Sequence, residues 1–432
     1  MTENFEYDRT KVKEVTKCRI CDNPSLKPMI DLGVQSLSGR FPLIEEPNPI
    51  ESPLHLVKCD DSNNKYACGL LQLRHTTAPD EMYGETYGYR SGLNKTMTDH
   101  MIGMVRTIEN LVNLKPGDAV LDIASSDGTL LNAYDLKLKR IGIDPSAEKF
   151  RKFYAEGIDI VVDYFSAEKF KKVTSKKAKA ITCNAMFYDL DDPISFMKDV
   201  KEILHQDGIW VSEQSYMPEM LRTNSFDTIC HEHLDYYALK QMEHIFKKSG
   251  LKLFDVDFNY INGTTFRTYA CHEESLRKIN IERIQSVRDN EKALKLDTDM
   301  PYKEFAERVI SIRDRLSDFL RSERKKGKKI HLYGASTKGN IILNYLNIGK
   351  EIAEFASDRN PDKYGRRMLT HIPIIPEEES RKSNPDYYLV LPWCFKEEFI
   401  KREEGFLRKG GKLIFPLPQP EIIGINGERL LI

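Results

Sequence analysis

Eight consecutive residues, Cys230-His231-Glu232-His233-Leu234-Asp235-Tyr236-Tyr237, hold two imidazoles, two carboxylates and two phenols. Side chains of these types can move protons near neutral pH once their surroundings tune them. His-x-His also invites a metal reading. Metalloprotease zinc sites, however, space their histidines as His-Glu-x-x-His, one helical turn apart, which this segment does not. On a strand, His231 and His233 would share a face and Glu232 would point away. In a loop, all three could converge. Satisfied structural histidines are the alternative to a catalytic set.

A second chemical cluster lies near the N-terminus. Of the 8 cysteines, Cys18, Cys21, Cys59 and Cys68 crowd together, whereas Cys183, Cys230, Cys271 and Cys394 are scattered. In a reducing compartment the first set reads as metal ligands rather than disulfides. Four thiolates suit a closed, structural zinc tetrahedron with no open position for catalysis. Buried thiols that happen to cluster are the alternative. The segment 1–75 carries little apolar core, so a metal staple is expected there.

A third cluster suggests a cofactor. The apolar run Ala119–Ala124 enters the loop Ser125-Ser126-Asp127-Gly128-Thr129. Dinucleotides present a pyrophosphate, which calls for more glycines than this loop has. S-adenosylmethionine has no phosphate and fits a loop in which Ala124 and Ser125 stand in for glycine. The expected cofactor set is Asp122, Ala124, Ser125, Asp127, Gly128 and Asp144, the last ending the next strand where an acid can bind ribose hydroxyls. Asp163, Tyr164 and Phe165 could hold adenine, and Asn184 falls at the carboxyl edge of a later strand. An unliganded structural domain is the alternative.

These groups need a frame. Met97–Val112 has helical periodicity. The runs 119–124, 140–144, 178–184 and 208–213 alternate with helical stretches, which predicts an α/β fold with a doubly wound, Rossmann-like sheet. Phe305, Val309, Ile312, Leu316 and Phe319 recur at helical spacing in a charged stretch and predict an amphipathic lead-in helix. A second α/β unit then opens with Lys329–Tyr333 and the turn Gly334-Ala335-Ser336-Thr337-Lys338-Gly339. Its later strands are expected at 353–358, 387–391 and 412–416. The turn could cradle a phosphate at a helix N-terminus or simply pack; it is not a Walker A loop. The domains predicted are 1–75 (zinc-binding), 76–275 (methyl-donor) and 276–432 (C-terminal, Rossmann-like).

With 65 basic and 66 acidic residues and a formal net charge of -1, the chain offers no bulk attraction to nucleic acid. No apolar run is long enough to span a bilayer. Met1–Glu6 lacks the layout of a secretory signal, so a cytoplasmic location is expected. The oligomeric state is left open, a monomer being sufficient.

Taken together, the motifs resemble the nucleotide-sugar C-methyltransferases over nearly the whole chain. The resemblance rests on the cysteine module with Asp31-Leu32-Gly33 and Cys68–Leu73, on Tyr87-Gly88-Tyr89-Arg90-Ser91, and on Asp127–Leu131. It also rests on His231–Tyr237, Asn262–Tyr269 and Tyr333–Gly339. It implies a zinc module, an S-adenosylmethionine-dependent domain and a C-terminal Rossmann-like domain, with the active site between domains. His233 would be the base, supported by Glu232, with His231 nearby. Tyr89 and Ser91 would line the substrate site, and Tyr89 could also help stabilise an enolate. The implied substrate is a 4-keto-6-deoxy or related keto-sugar on a nucleoside diphosphate. Asn262, Arg267 and Lys338 are further substrate candidates, Arg267 as a paired-donor clamp on the diphosphate. Two departures stand out: Cys230 where a tyrosine can occur, and Tyr188 where some members have histidine. Methylation of oxygen or nitrogen, or a non-catalytic scaffold, are the competing readings.

Overall fold

The structure, a computed structural model, describes residues 8, 10–62, 64–82, 90–261 and 263–432. Tyr89 and Asn262 therefore lie outside the described residues. The central sheet has seven strands in the order Leu251–Asn259, Thr265–His272, Leu204–Ser215, Ala178–Asn184, Ala119–Ile123, Lys139–Ile143 and Ile158–Val161. The last five run parallel, and the first two pair antiparallel. Every residue of Ala119–Ile123 is buried. Val120 packs into one apolar cluster and Leu121 into another, so the strand is covered on both faces, which is why its sequence is continuously apolar.

The helix Lys95–Leu111 covers one face with Met97, Met101, Met104, Val105 and Ile108. Asn94 caps it by accepting from the Thr96 amide. The expected helical lead-in is two helices, Ile281–Ala293 and Met300–Lys325, and the longer one buries Phe305, Val309, Ile312 and Leu316 as the spacing predicted. The second α/β unit is also seven-stranded, in the order Ile374–Pro376, Ala356–Asp358, Ile330–Tyr333, Tyr387–Val390, Lys412–Phe415, Glu421–Ile423 and Arg429–Leu431. Among the described residues, no helix is long and apolar enough to cross a membrane.

The N-terminal module takes one strand from a distant stretch of the chain. Its four-stranded sheet runs Asp235–Tyr236, Leu71–Leu73, Glu51–Cys59, Leu26–Ser36. The edge strand thus comes from the His231–Tyr237 segment, far along the chain. Asp235 pairs with Gln72 and Tyr236 with Leu71. The module's apolar residues pack into a shared core. Ile30, Leu54, Leu56 and Leu71 share one cluster with Phe305 and Ile312 of the long helix and with Ile341 and Leu389 of the C-terminal unit.

Candidate active site

The cofactor loop follows Ile123 at the carboxyl edge of the central sheet, with Ala124 (φ 58°), Ser126 (φ 49°) and Gly128 (φ 74°) all left-handed. Asp144, just past the neighbouring strand, ties the loop down. It accepts from the Ser126 amide at 2.8 Å and from the Ser146 amide and hydroxyl, both at 2.6 Å. A carboxylate offers about four lone-pair directions, so these bonds leave it room for one further donor. Tyr154, which the sequence did not single out, closes the turn. Its hydroxyl donates to the Ser126 carbonyl at 2.9 Å and lies 2.7 Å from Ser125 Oγ. Its ring sits so close under Gly128 that a Cβ there would approach a ring carbon to 2.6 Å.

Asp127 accepts from the Gly92 amide at 3.0 Å and from Thr129 Oγ1 at 2.6 Å, which draws the Ser91–Leu93 turn over the loop. Ser91 itself is buried in that turn. Asp122 faces inward: it accepts from Thr182 Oγ1 at 2.6 Å, and burial pushes its carboxyl up to about 7. It backs the loop rather than opening onto it. Asp163 is paired with Lys169 at 2.7 Å, Tyr164 is 44% exposed, and Phe165 packs edge-on against Phe196. Asn184 ends its strand with Oδ1 buried and without a hydrogen-bond partner. An orphan acceptor at the carboxyl edge, beside a loop fixed by carboxylates, suits the ammonium and ribose donors of S-adenosylmethionine.

Beyond Asn184, Glu213 lies near the end of the adjacent strand, in register with it. Arg267 aims two donors at this carboxylate, Nε at 2.8 Å and Nη2 at 2.7 Å, and His100 Nε2 lies 2.6 Å from its other oxygen. The Arg267 donors expected to clamp a diphosphate both approach Glu213 Oε2 instead. Burial alone would raise the Glu213 carboxyl. The His100 hydrogen bond and the Arg267 charge outweigh it and hold the group below the ordinary glutamate range.

The four cysteines converge as expected. Their sulfurs all lie within 4.8 Å of one another, with Cys18–Cys68 at 3.4 Å and Cys21–Cys59 at 3.5 Å. These separations are far beyond a disulfide bond. Zinc–sulfur bonds of about 2.3 Å in a tetrahedron place sulfurs about 3.8 Å apart, so the set fits zinc. Asn23 Nδ2 donates to Cys59 Sγ at 3.4 Å, an outer contact of the kind that orients thiolate ligands.

In the His231–Tyr237 segment the three candidate side chains diverge. His233 Nδ1 donates to the Thr228 carbonyl at 2.9 Å. That bond fixes the tautomer and leaves Nε2 with its lone pair free. The ring lies 4.2 Å from the Tyr188 ring, and both residues line a cleft with Ser215, Met217, Met220 and Asp235. Burial, reinforced by the charge of Lys338, lowers His233 to about 3, so it is neutral at physiological pH. Glu232 turns away to Ser38 and Gly39. Its Oε2 lies 3.5 Å from Ser38 Oγ, and a Cβ on Gly39 would meet Oε1 at 2.6 Å. No hydrogen bond joins Glu232 to His233 among the described residues, so the orienting role expected of Glu232 falls to the Thr228 carbonyl. His231 is buried and donates through Nε2 to the Ser52 carbonyl at 3.0 Å. This is the contact of a structural histidine that fastens the segment to the zinc module. Cys230 is buried beside them.

The Gly334–Gly339 turn comes from the C-terminal unit. Ser336 caps the helix Thr337–Leu346 by accepting from the Gly339 amide at 3.0 Å, and Asn340 Nδ2 donates to the Ser38 carbonyl at 2.9 Å. The charge of Lys338 therefore acts on both His233 and Asp227. Asp227 is buried, accepts from Trp393 Nε1 at 2.8 Å and keeps Oδ1 unpartnered. The cleft thus brings together His233 and Tyr188 from separate stretches of chain, within reach of the Lys338 charge, while Trp393 of the C-terminal unit bonds to Asp227 of the segment before His233. Neither Asp227 nor Trp393 was legible in sequence, since an isolated Asp or Trp carries no spacing signal.

Three family models tile the chain in this order. A "Putative zinc binding domain" matches residues 18–83, a "Methyltransferase domain" residues 100–256, and a "C-methyltransferase C-terminal domain" residues 260–418. With the loop geometry and the four-cysteine cluster, they define an S-adenosylmethionine-dependent methyltransferase with a zinc-binding module. The chain is also similar to C-methyltransferase NovU of Streptomyces niveus, 28% identical over 418 residues, 95% of this chain and 98% of that one. These matches support an S-adenosylmethionine-dependent C-methyltransferase. Among solved structures, the plantazolicin methyltransferase BamL, determined with S-adenosylhomocysteine, aligns with a TM-score of 0.35 at 14% identity, over 42% of this chain and 87% of that one. An S-adenosylmethionine-dependent methyltransferase from Clostridium acetobutylicum aligns with a TM-score of 0.31 at 16% identity, over 40% and 90%.

Proposed function

We propose that the protein methylates a carbon next to the ketone of a keto-deoxysugar carried on a nucleoside diphosphate, with His233 as the base. The observation that carries this reading is the His233–Thr228 hydrogen bond, which occupies Nδ1 and leaves Nε2 as the basic atom of a neutral imidazole that lines the cleft. Carbon methylation needs such a base, whereas transfer to an amine does not. When bound, S-adenosylmethionine supplies an electrophilic methyl group. His233 Nε2 takes the proton from the carbon beside the ketone, and the C–H electron pair passes toward the ketone oxygen. A positioned base of this kind contributes about a hundred- to ten-thousandfold.

Lys338 has a double part in this reading. Its charge lowers the basicity of His233 in the free enzyme. A diphosphate bound to Lys338 would neutralise that charge and raise the basicity of Nε2 as substrate arrives. Ser91, Tyr89 and Asn262 are proposed to line the sugar site. Asp144, Asp127 and Asn184 are proposed to hold the cofactor, with Ala124, Ser125 and Gly128 giving backbone access, and Asp163, Tyr164 and Phe165 bordering adenine. We place the domains at 1–75, 76–275 and 276–432, with Asp235–Tyr236 lent by the second to the first.

The test is incubation with S-adenosylmethionine analogues that cannot transfer methyl, in D2O, over a panel of nucleoside-diphosphate keto-sugars. Deuterium should enter at one carbon beside the ketone, and with S-adenosylmethionine itself that carbon should gain the methyl. A product methylated on oxygen or nitrogen, with no deuterium wash-in, would sink the reading.

A further inference from the structure

The Cys-x-x-Cys knuckle holds one residue whose contacts do not serve the metal. Arg19, between Cys18 and Ile20, has a side chain only 1% exposed. Its Nη1 donates to the Leu73 carbonyl at 2.6 Å, its Nε to Asp191 at 3.0 Å and its Nη2 to Thr76 Oγ1 at 2.7 Å. Nη1 also lies 3.9 Å from Asp235 Oδ1, an oxygen that is buried without a hydrogen-bond partner. Besides Thr76, the guanidinium therefore touches three pieces of the molecule at once. These are the strand Leu71–Leu73, the catalytic segment at Asp235, and the Asp191 stretch that follows Tyr188.

Each of these pieces leads to the cleft. The Leu73 amide donates to the Leu234 carbonyl at 2.8 Å, and the Leu234 amide donates to the Tyr188 carbonyl at 2.9 Å. Asp235 is two residues from His233 and pairs with Gln72. The Gln72 side chain turns back to the knuckle, accepting from the Arg19 amide at 3.0 Å and donating to the Lys17 carbonyl at 3.3 Å. The metal ligands close the loop. Cys59 ends the strand Glu51–Cys59, and Cys68 precedes Leu71–Leu73, with its carbonyl held by Gln241 Nε2 at 2.8 Å. Four thiolates around one ion would thus lock the knuckle to the very strand on which the catalytic segment is laid.

We infer that the zinc module is the positioning element for His233 and Tyr188, with Arg19 as the positioning residue that transmits its geometry. This rests on the reading of His233 as the base. The chemistry is directional. A guanidinium has five donors in a rigid fork, so it can fix three partners at set angles, which an ammonium on a flexible stem cannot. Losing it leaves the Asp235 and Asp191 carboxylates without their cation and frees the edge strand to shift. A misplacement of about 1 Å at a reacting group can cost about a hundredfold.

The experiment uses the full chain. Arg19→Ala should keep its zinc, read by colorimetric release under denaturation. It should lose about ten- to a hundredfold in kcat while KM for S-adenosylmethionine stays within about twofold. Millimolar methylguanidinium should restore part of that kcat, and Arg19→Lys should not behave as wild type. Independently of activity, the His233 imidazole resonance, assigned by its loss in His233→Gln, should shift in Arg19→Ala. It should shift again in wild type stripped of zinc by a chelator. An unmoved resonance in both samples would overturn the inference, and so would zinc loss on Arg19→Ala, which would make Arg19 part of the metal's own support. If His233→Ala stays active while the resonance still responds to Arg19 and zinc, the base assignment fails and the coupling stands.

Discussion

Replacing Arg267 by Met should cost the fold about 3–5 kcal/mol, the penalty for stranding a buried charge. The reason is local. Glu213 and Arg267 are both nearly inaccessible, at 8% and 9% side-chain exposure, and a hydrogen bond at 2.8 Å and an ion-pair contact at 2.7 Å join them. Without the guanidinium, Glu213 keeps only His100. The double variant Arg267→Met with Glu213→Gln should recover most of the loss, because no uncompensated charge remains. Urea unfolding of wild type, both single variants and the double variant measures the coupling as a cycle.

The pH dependence adds a sign. In wild type the Glu213 carboxyl is depressed, so its contribution is present above its unfolded value of about 4.3 and is lost as pH falls through the lower folded value. In Arg267→Met the His100 hydrogen bond remains but the Arg267 charge is gone, so burial is less opposed and the folded value rises. Stability should then fall less steeply than in wild type as pH is lowered through the carboxylate range. A variant with wild-type stability at every pH, and only weakened nucleotide-sugar binding, would refute this account and restore Arg267 as the diphosphate clamp.

His233→Ala should lower turnover by about a hundred- to ten-thousandfold while calorimetric affinity for S-adenosylmethionine stays near wild type. Cys18→Ser, or chelation of zinc, should lower the thermal midpoint and remove zinc from the chain, because the module has no independent core. Asp122 is raised to about 7 when folded, so it takes up protons on folding, and stability should fall as pH rises from about 4 to 7. Asp122→Asn, which keeps a partner for Thr182, should flatten that limb by on the order of a few kcal/mol in urea titrations at several pH values. Gly128→Ala should weaken cofactor binding at least about tenfold by isothermal titration, since the new methyl meets the Tyr154 ring and the left-handed backbone disfavours it.

Much of this was written in local sequence. The run Ala119–Ile123 is apolar because both of its faces are covered, and Phe305–Leu316 repeats every turn because one face of a long helix is covered. Cys18, Cys21, Cys59 and Cys68 converge because thiolate spacing and metal geometry share one logic. What local pattern could not carry was pairing between distant stretches. His233 is oriented by the carbonyl of Thr228, and a backbone carbonyl has no sequence signature. Arg267 has the composition of an anion clamp and the placement of a charge partner, because the acid that claims it lies on the neighbouring strand. His231 and Glu232 belong to a motif that looks like one catalytic group, yet they bond to Ser52 and Ser38 of a module coded near the N-terminus.

The borrowed edge strand also bears on how the chain comes into being. During synthesis the zinc module emerges early, but its sheet stays open at Leu71–Leu73 until Asp235–Tyr236 arrives, after most of the methyl-donor sheet has been made. Its closure is a contact of high sequence separation, the kind that slows folding and leaves a strand edge exposed meanwhile. The module is therefore a poor unit of exchange between relatives. A chimera joined at the apparent domain boundary would receive a sheet cut for one edge strand and a catalytic segment cut for another.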